Sequence, residues 1–148
     1  MKQKYIDLYM DWATRLTKLS HAKRLQVGAV IVKDDCVISY GYNGMPAGWD
    51  NNCEDVIQHS DDTTSLKTKP EVLHAESNAI AKLAKSSNSG LGADLFVTHS
   101  PCIECAKLIH QSGIARVFFG NHYRDDSGIN FLEKSGVEVK YIGSLAQR

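Results

Sequence analysis

Asp94-Leu95-Phe96-Val97-Thr98, running straight into Ser100-Pro101-Cys102-Ile103-Glu104-Cys105, reads as a strand that ends on a pair of metal ligands. A Cys-x-x-Cys pair places two sulfurs on one side of a tight turn or on the first turn of a helix. Pro101 suits a helix start, because proline lacks the amide hydrogen that would go unpaired there. The helix dipole and a metal both favour thiolate over thiol at that position. Upstream, His74-Ala75-Glu76 opens a second helical run, His74 to Ser86, with Ala79, Ile80, Leu83 and Ala84 at helical spacing. His74, Cys102 and Cys105 together form a tridentate zinc set that leaves a fourth tetrahedral position for water. Glu76 sits beside the set without being needed as a ligand, which is where a proton carrier belongs.

Each part has a plainer reading. A structural zinc knuckle normally closes with four protein ligands, whereas a catalytic site keeps one position open. The remaining thiols offer no obvious fourth ligand, since Cys36 lies in an expected strand and Cys53 in a polar loop. A redox Cys-x-x-Cys pair would want a thioredoxin-like context and would not need a histidine and glutamate beside it. A glutamate in the first turn of a helix is favourable with no catalysis at all. Glu104, inside the cysteine pair, is expected to point to solvent.

Outward from the zinc set, Tyr5, Leu8, Tyr9, Trp12, Leu16 and Leu19 recur at helical spacing, predicting an amphipathic helix from about Gln3 to Ser20. Gln26 to Lys33 and Cys36 to Tyr42 read as a hairpin turning at Asp34-Asp35. Asn43 to Leu73 shows no periodicity and reads as a long polar loop with a functional role. A helix from Cys102 to Ser112 is stopped by Gly113. Arg116 to Phe119, Ile129 to Ser135 and Val137 to Ile142 follow as strand, helix and strand. A helix joining those two strands implies a crossover and parallel pairing. The expectation is a single α/β domain over residues 1–148, a three-layer α/β/α sandwich on a mixed five-stranded sheet.

The 17 basic and 17 acidic residues cancel, which removes the bulk positive field a polynucleotide partner would want. Four cysteines, two of them in the zinc set, suit a reducing compartment better than a disulfide framework. No signal-like segment or run of transmembrane length is present, so the cytoplasm is the expected home, with no membrane partner.

The pattern His-x-Glu followed by Pro-Cys-x-x-Cys is the signature of zinc nucleobase deaminases, and the chain resembles that superfamily. Zinc lowers the pKa of a bound water to about 7. Hydrolysis at C4 of cytosine then needs one proton delivered to N3 and another to the departing ammonia, which is general acid–base work for Glu76. The hairpin Gln26-Val27-Gly28-Ala29-Val30-Ile31-Val32 and the segment Gly41-Tyr42-Asn43-Gly44-Met45-Pro46-Ala47-Gly48 narrow the resemblance to the deoxycytidylate (dCMP) deaminase family. It runs from about Ser20 to Ile142 and looks nearest to phage and bacterial members.

That resemblance implies a cytidine deaminase-like fold and hydrolysis of dCMP to dUMP and ammonia, feeding thymidylate synthesis. It implies one catalytic zinc per chain. It further implies a homohexamer, activated by dCTP with magnesium and inhibited by dTTP, with the effector near Gly41, Tyr42, Gly44 and Pro46. Asn43 would bond the deoxyribose 3′-hydroxyl, although Asn-Gly is also a common turn. Tyr123 would lie near the nucleotide, or else be an ordinary exposed aromatic. Arg24 is the leading phosphate ligand, with Lys23 and Arg124 as rivals and a solvated charge as the plain alternative for each. The backbone of Ala75 and the stretch Thr98 to Pro101, including Ser100, would line the base. Some relatives hold a second, structural zinc through a cysteine where this chain has Ala22; Cys53, His59 and His21 form an incomplete substitute. The rival enzymes are a deaminase of tRNA adenosine or single-stranded DNA and a nucleoside cytidine deaminase. A zinc-stabilised binding module is the non-enzymatic alternative.

Overall fold

The computed structural model describes residues 1–143. Five strands form one mixed sheet: β1 (Gly28–Lys33), β2 (Cys36–Tyr42), β5 (Asp94–His99), β6 (Arg116–Asn121) and β7 (Glu138–Tyr141), in the order β2-β1-β5-β6-β7. β1 runs antiparallel to both β2 and β5, while β5, β6 and β7 are parallel. The β1–β2 turn at Asp34 and Asp35 takes positive φ at both residues, 51° and 57°, the backbone that matches the twist of a two-residue hairpin.

Alternation along the central strands divides the core. Val30, Val32, Phe96 and Phe118 point to one face, beneath Tyr9, Met10 and Ala13 of α1 (Gln3–Leu16). Phe96 and Phe118 are register partners whose rings stack 4.7 Å apart. Ala29, Ile31, Leu95, Val97, Val117 and Phe119 point the other way, against α2 (Ala75–Ala84), α3 (Ile103–Gln111) and α4 (Ser127–Lys134). Both faces of the sheet are therefore covered, which gives the three-layer arrangement.

Boundaries shift at the helix ends. α1 stops at Leu16 and the chain continues as a 3₁₀ turn over Thr17–Leu19. His74 and Cys102 are the residues flanking the starts of α2 and α3, so Pro101 lies one position before the cap and not on the first helical residue. Gly113, with φ of 82°, ends α3 in the left-handed region that only glycine enters at no cost.

The one correction to the architecture lies in the long polar segment. Residues Asn43 to Leu73, read as a loop, contain a second hairpin, β3 (Glu54–Gln58) and β4 (Thr64–Thr68), paired in register from Glu54↔Thr68 to Gln58↔Thr64. Val56 and Leu66 face each other across it and stay exposed. The hairpin lies outside the five-stranded sheet and buries neither face, so no apolar alternation marks it.

Candidate active site

α2 and α3 begin side by side at one end of the sheet and bring three ligand atoms together. His74 Nδ1 lies 3.5 Å from Cys102 Sγ and 3.3 Å from Cys105 Sγ. All three ligand atoms fall within 4.8 Å of one another. A tetrahedral ion with bonds of about 2.3 Å to sulfur and 2.0–2.1 Å to nitrogen would hold those atoms roughly 3.6 Å apart, so the donor set fits zinc. Cys105 is buried and Cys102 half-buried, while His74 is exposed, which leaves the fourth side facing solvent.

The three side chains shift one another's acidity. Cys102 is pulled down to about 3, first by its hydrogen bond with the Cys105 thiol and then by His74. Cys105 is pushed up for the reciprocal reason and by burial. His74 is raised above its ordinary value chiefly by its hydrogen bond with Cys102.

Glu76 occupies the first turn of α2 and is buried, 5% exposed. Desolvation pushes its carboxyl above the usual range, opposed by its own backbone amide and by His74. A buried carboxyl with a raised pKa beside a metal set is the profile of a group that takes and returns a proton. Glu104 points away and pairs with Lys107 at 2.8 Å.

His74, Cys102 and Glu76 open into a cavity of about 590 Å³, while Cys105 is buried and does not line it. Of the expected residues, Arg24, Asn43, Ala75, Ser100, Tyr123 and the rival Arg124 line it. Lys23 does not; its amide donates instead to Glu54. Thr98 and Pro101, expected along the wall, lie buried behind it. Thr98 Oγ1 accepts from the Gly28 amide at 3.2 Å, which ties β5 to β1.

Asn43 has a structural duty as well. Its Nδ2 donates to the Leu25 carbonyl and its Oδ1 accepts from the Val27 amide, both at 2.8 Å. One N–H and one lone pair remain for a ligand. Ser100 Oγ accepts the Tyr123 amide at 2.7 Å, fixing the loop after β6 against the zinc-helix entry.

His99, within the expected stretch Thr98 to Pro101, lines the cavity, as do Asn121 and His122, which the sequence reading missed. His99 and Asn121 are register partners at the carboxyl ends of the parallel strands β5 and β6. Ligands of open α/β sheets gather at those ends, and that rule was the available signal. Burial pushes the His99 imidazole below its ordinary value, favouring its neutral form.

The segment expected to meet an effector is largely occupied by the protein's own contacts. A Cβ on Gly41 would strike the Ala75 carbonyl and lie 2.7 Å from the Ala79 amide. Tyr42 accepts from Asn78 Nδ2, Gly44 bridges Leu73, and the Pro46 carbonyl accepts the Trp49 amide. Gly41→Ala is therefore expected to push α2 off β2, costing about 1–3 kcal/mol by overpacking. Any chemistry at the metal set should fall with it, because His74 and Glu76 sit at the start of that helix; a denaturant titration run beside an assay of bound metal checks both.

Cys53 and Ala22 meet in a small apolar cluster with Val72, so position 22 offers a methyl group and no metal ligand. Burial raises the Cys53 thiol, whose sulfur bonds the Asn51 carbonyl. His59 follows the far end of β3, about 20 Å away for a strand of that length, and is bonded to Ser65. Those two residues do not share an ion.

Comparison with known proteins fits this geometry. The family model described as cytidine and deoxycytidylate deaminase zinc-binding region matches residues 3–121. The chain belongs to that family. The deoxycytidylate deaminase of Mycobacterium phage D29 is 36% identical over 76% of this chain and 91% of its own. The human deoxycytidylate deaminase is 39% identical over 82% of this chain and 71% of its own. Among solved structures, dCMP deaminase from the cyanophage S-TIM5 in complex with dCMP and dUMP superposes with a TM-score of 0.86 at 43% identity, covering 96% of this chain and 99% of that one.

Proposed function

We propose that this chain hydrolyses dCMP to dUMP and ammonia. The observation that carries the reading is that one cavity is lined both by the metal set with its carboxyl and by two arginines. His74, Cys102 and Glu76 line it together with Arg24 and Arg124. Its volume, about 590 Å³, suits a mononucleotide. The S-TIM5 relative, described with dCMP and dUMP, supports the same substrate class.

When bound by His74, Cys102 and Cys105, zinc supplies an acidified water, with a pKa of about 7. Glu76 takes a proton, hands it to N3 of the ring, and serves the departing amine in turn. The Ala75 backbone and Ser100 hold the base edge. Asn43 offers its spare N–H and lone pair to the sugar hydroxyl, and Tyr123 closes the side. Arg24 grips the phosphate through paired charge-assisted hydrogen bonds.

Regulation by dCTP with magnesium, inhibition by dTTP and a homohexameric assembly belong to the same proposal and rest on the resemblance. Gly44 and Gly48 leave open space for such an effector, with no atom within 4 Å of a Cβ at either position. Among the described residues no helix is long and apolar enough to cross a membrane, and the cysteines are free. A cytoplasmic setting accords with those thiols.

A substrate panel tests the reading: dCMP, dCTP, CMP, deoxycytidine and a cytosine-containing oligonucleotide, each with and without dCTP–magnesium. Ammonia release should be at least about tenfold faster per unit concentration with dCMP than with deoxycytidine, since a charge-assisted phosphate contact is worth about 1.5–3 kcal/mol. Equal use of deoxycytidine would reject the nucleotide assignment. Preferential use of the oligonucleotide would favour a nucleic-acid deaminase instead.

A further inference from the structure

We propose that Glu54 and Thr68, at the base of the β3–β4 hairpin, are positioning residues that aim Arg24 and so set the preference for a 5′-phosphorylated substrate. This rests on the reading of Arg24 as the phosphate ligand. The two residues are register partners across the hairpin. Thr68 Oγ1 accepts from Arg24 Nη1 at 3.1 Å. The Glu54 carboxylate accepts the Lys23 amide, at 2.6 and 3.3 Å from its two oxygens. One side chain therefore pins the backbone just before Arg24, and its cross-strand partner holds the guanidinium.

Three physical points make this more than proximity. Arg24 is an exposed side chain on irregular backbone between α1 and β1, where a long flexible cation samples many rotamers. A two-point grip on phosphate needs the planar fork held in one orientation, and holding it beforehand lowers the cost of binding. Glu54 is only 4% exposed, and a carboxylate is withdrawn from water at a cost unless it is hydrogen-bonded. Its recorded side-chain bond is spent on the amide that precedes Arg24. Thr68 and Arg24 both line the cavity that holds the zinc set.

The hairpin thereby has a task that its exposed strands do not explain. Its base is closed by the Lys69 amide donating to the Cys53 carbonyl at 2.8 Å, and Cys53 in turn packs with Ala22 and Val72. Asn43 holds the other side of the arginine segment through Leu25 and Val27. Arg24 thus sits between two fixed points, with Thr68 choosing the direction of its side chain.

The test compares kcat and KM for dCMP and deoxycytidine in the full-length enzyme carrying Arg24→Ala, Thr68→Val, Thr68→Ser, Glu54→Ala or the pair Arg24→Ala with Thr68→Val. Arg24→Ala should lower the dCMP-to-deoxycytidine ratio of kcat/KM by about 10–100-fold, the loss of a charge-assisted contact. Thr68→Val should lower it about 3–10-fold through KM for dCMP, the worth of one hydrogen bond, with kcat unmoved. Thr68→Ser keeps the hydroxyl and should keep the ratio. The double variant should fall no further than Arg24→Ala alone, because Thr68 acts only through the arginine. Glu54→Ala should resemble Thr68→Val; if it melts early, the Thr68 pair carries the test alone.

If Arg24→Ala lowers the ratio while Thr68→Val leaves it at the wild-type value, the positioning role is wrong and the phosphate reading stands. An unchanged ratio in Arg24→Ala overturns the phosphate reading itself. Equal losses on dCMP and deoxycytidine in Thr68→Val would mark a merely structural contact and also overturn the positioning role.

Discussion

Glu76→Gln is expected to lower kcat by at least about a hundredfold, and up to about ten-thousandfold, with zinc content and folding near those of the parent. The amide has the same shape but neither takes up nor gives up a proton near neutral pH, so the water cannot be relieved of its proton nor N3 supplied with one. Stability should hold for a separate reason. Glu76 is buried and desolvation raises its carboxyl, so the ionised form is the disfavoured one there. A neutral amide removes that penalty, and the melting temperature should stay level or rise. Were Glu76 only a favourable helix-start charge, worth about 0.3–1 kcal/mol, the variant would melt slightly earlier and turn over substrate normally. Turnover and a thermal scan on one preparation separate the two roles.

The chemistry was legible in the sequence because it is local. Pro101, Cys102 and Cys105 fall within five residues and His74 and Glu76 within three, and each group sits at the start of a helix whose apolar spacing is plain. The five-stranded sheet was legible too, since Val30, Phe96 and Phe118 face one layer while Ile31, Leu95 and Val117 face the other. The hairpin Glu54 to Thr68 was not, because neither of its faces enters a core and Val56 is 67% exposed. Strand pairing in such a segment is held by backbone hydrogen bonds, which leave no trace in side-chain polarity. The same blindness hid the link from Thr68 to Arg24, a contact spanning 44 residues. Asn121 and His122 were missed because the strand was expected to end at Phe119, whereas it runs on to Asn121, the register partner of His99, with His122 directly after it.

Cys105→Ala should abolish deamination and take the zinc with it, from about one ion per chain to a small fraction. A site of this class needs three protein ligands to retain the ion against water. With Cys105 gone, His74 and Cys102 remain as a two-point contact at the exposed side of the cluster. Stability should fall as well, because the ion joins the start of α2 to the start of α3. An ion held at a thousandfold its dissociation constant contributes about 4 kcal/mol to the folded state. For a domain of this size, that amounts to about 8–16 °C in melting temperature. Prolonged chelation of the parent should give the same shift and be reversed by added zinc, while Cys105→Ala should not recover. Cys36→Ala and Cys53→Ala supply the contrast. Cys36 is exposed on β2, and Cys53 sits in the Ala22–Val72 cluster, so both variants should keep a full complement of zinc. Full zinc in Cys105→Ala, or its loss in Cys53→Ala, would place the ion elsewhere and remove the ground on which the mechanism stands.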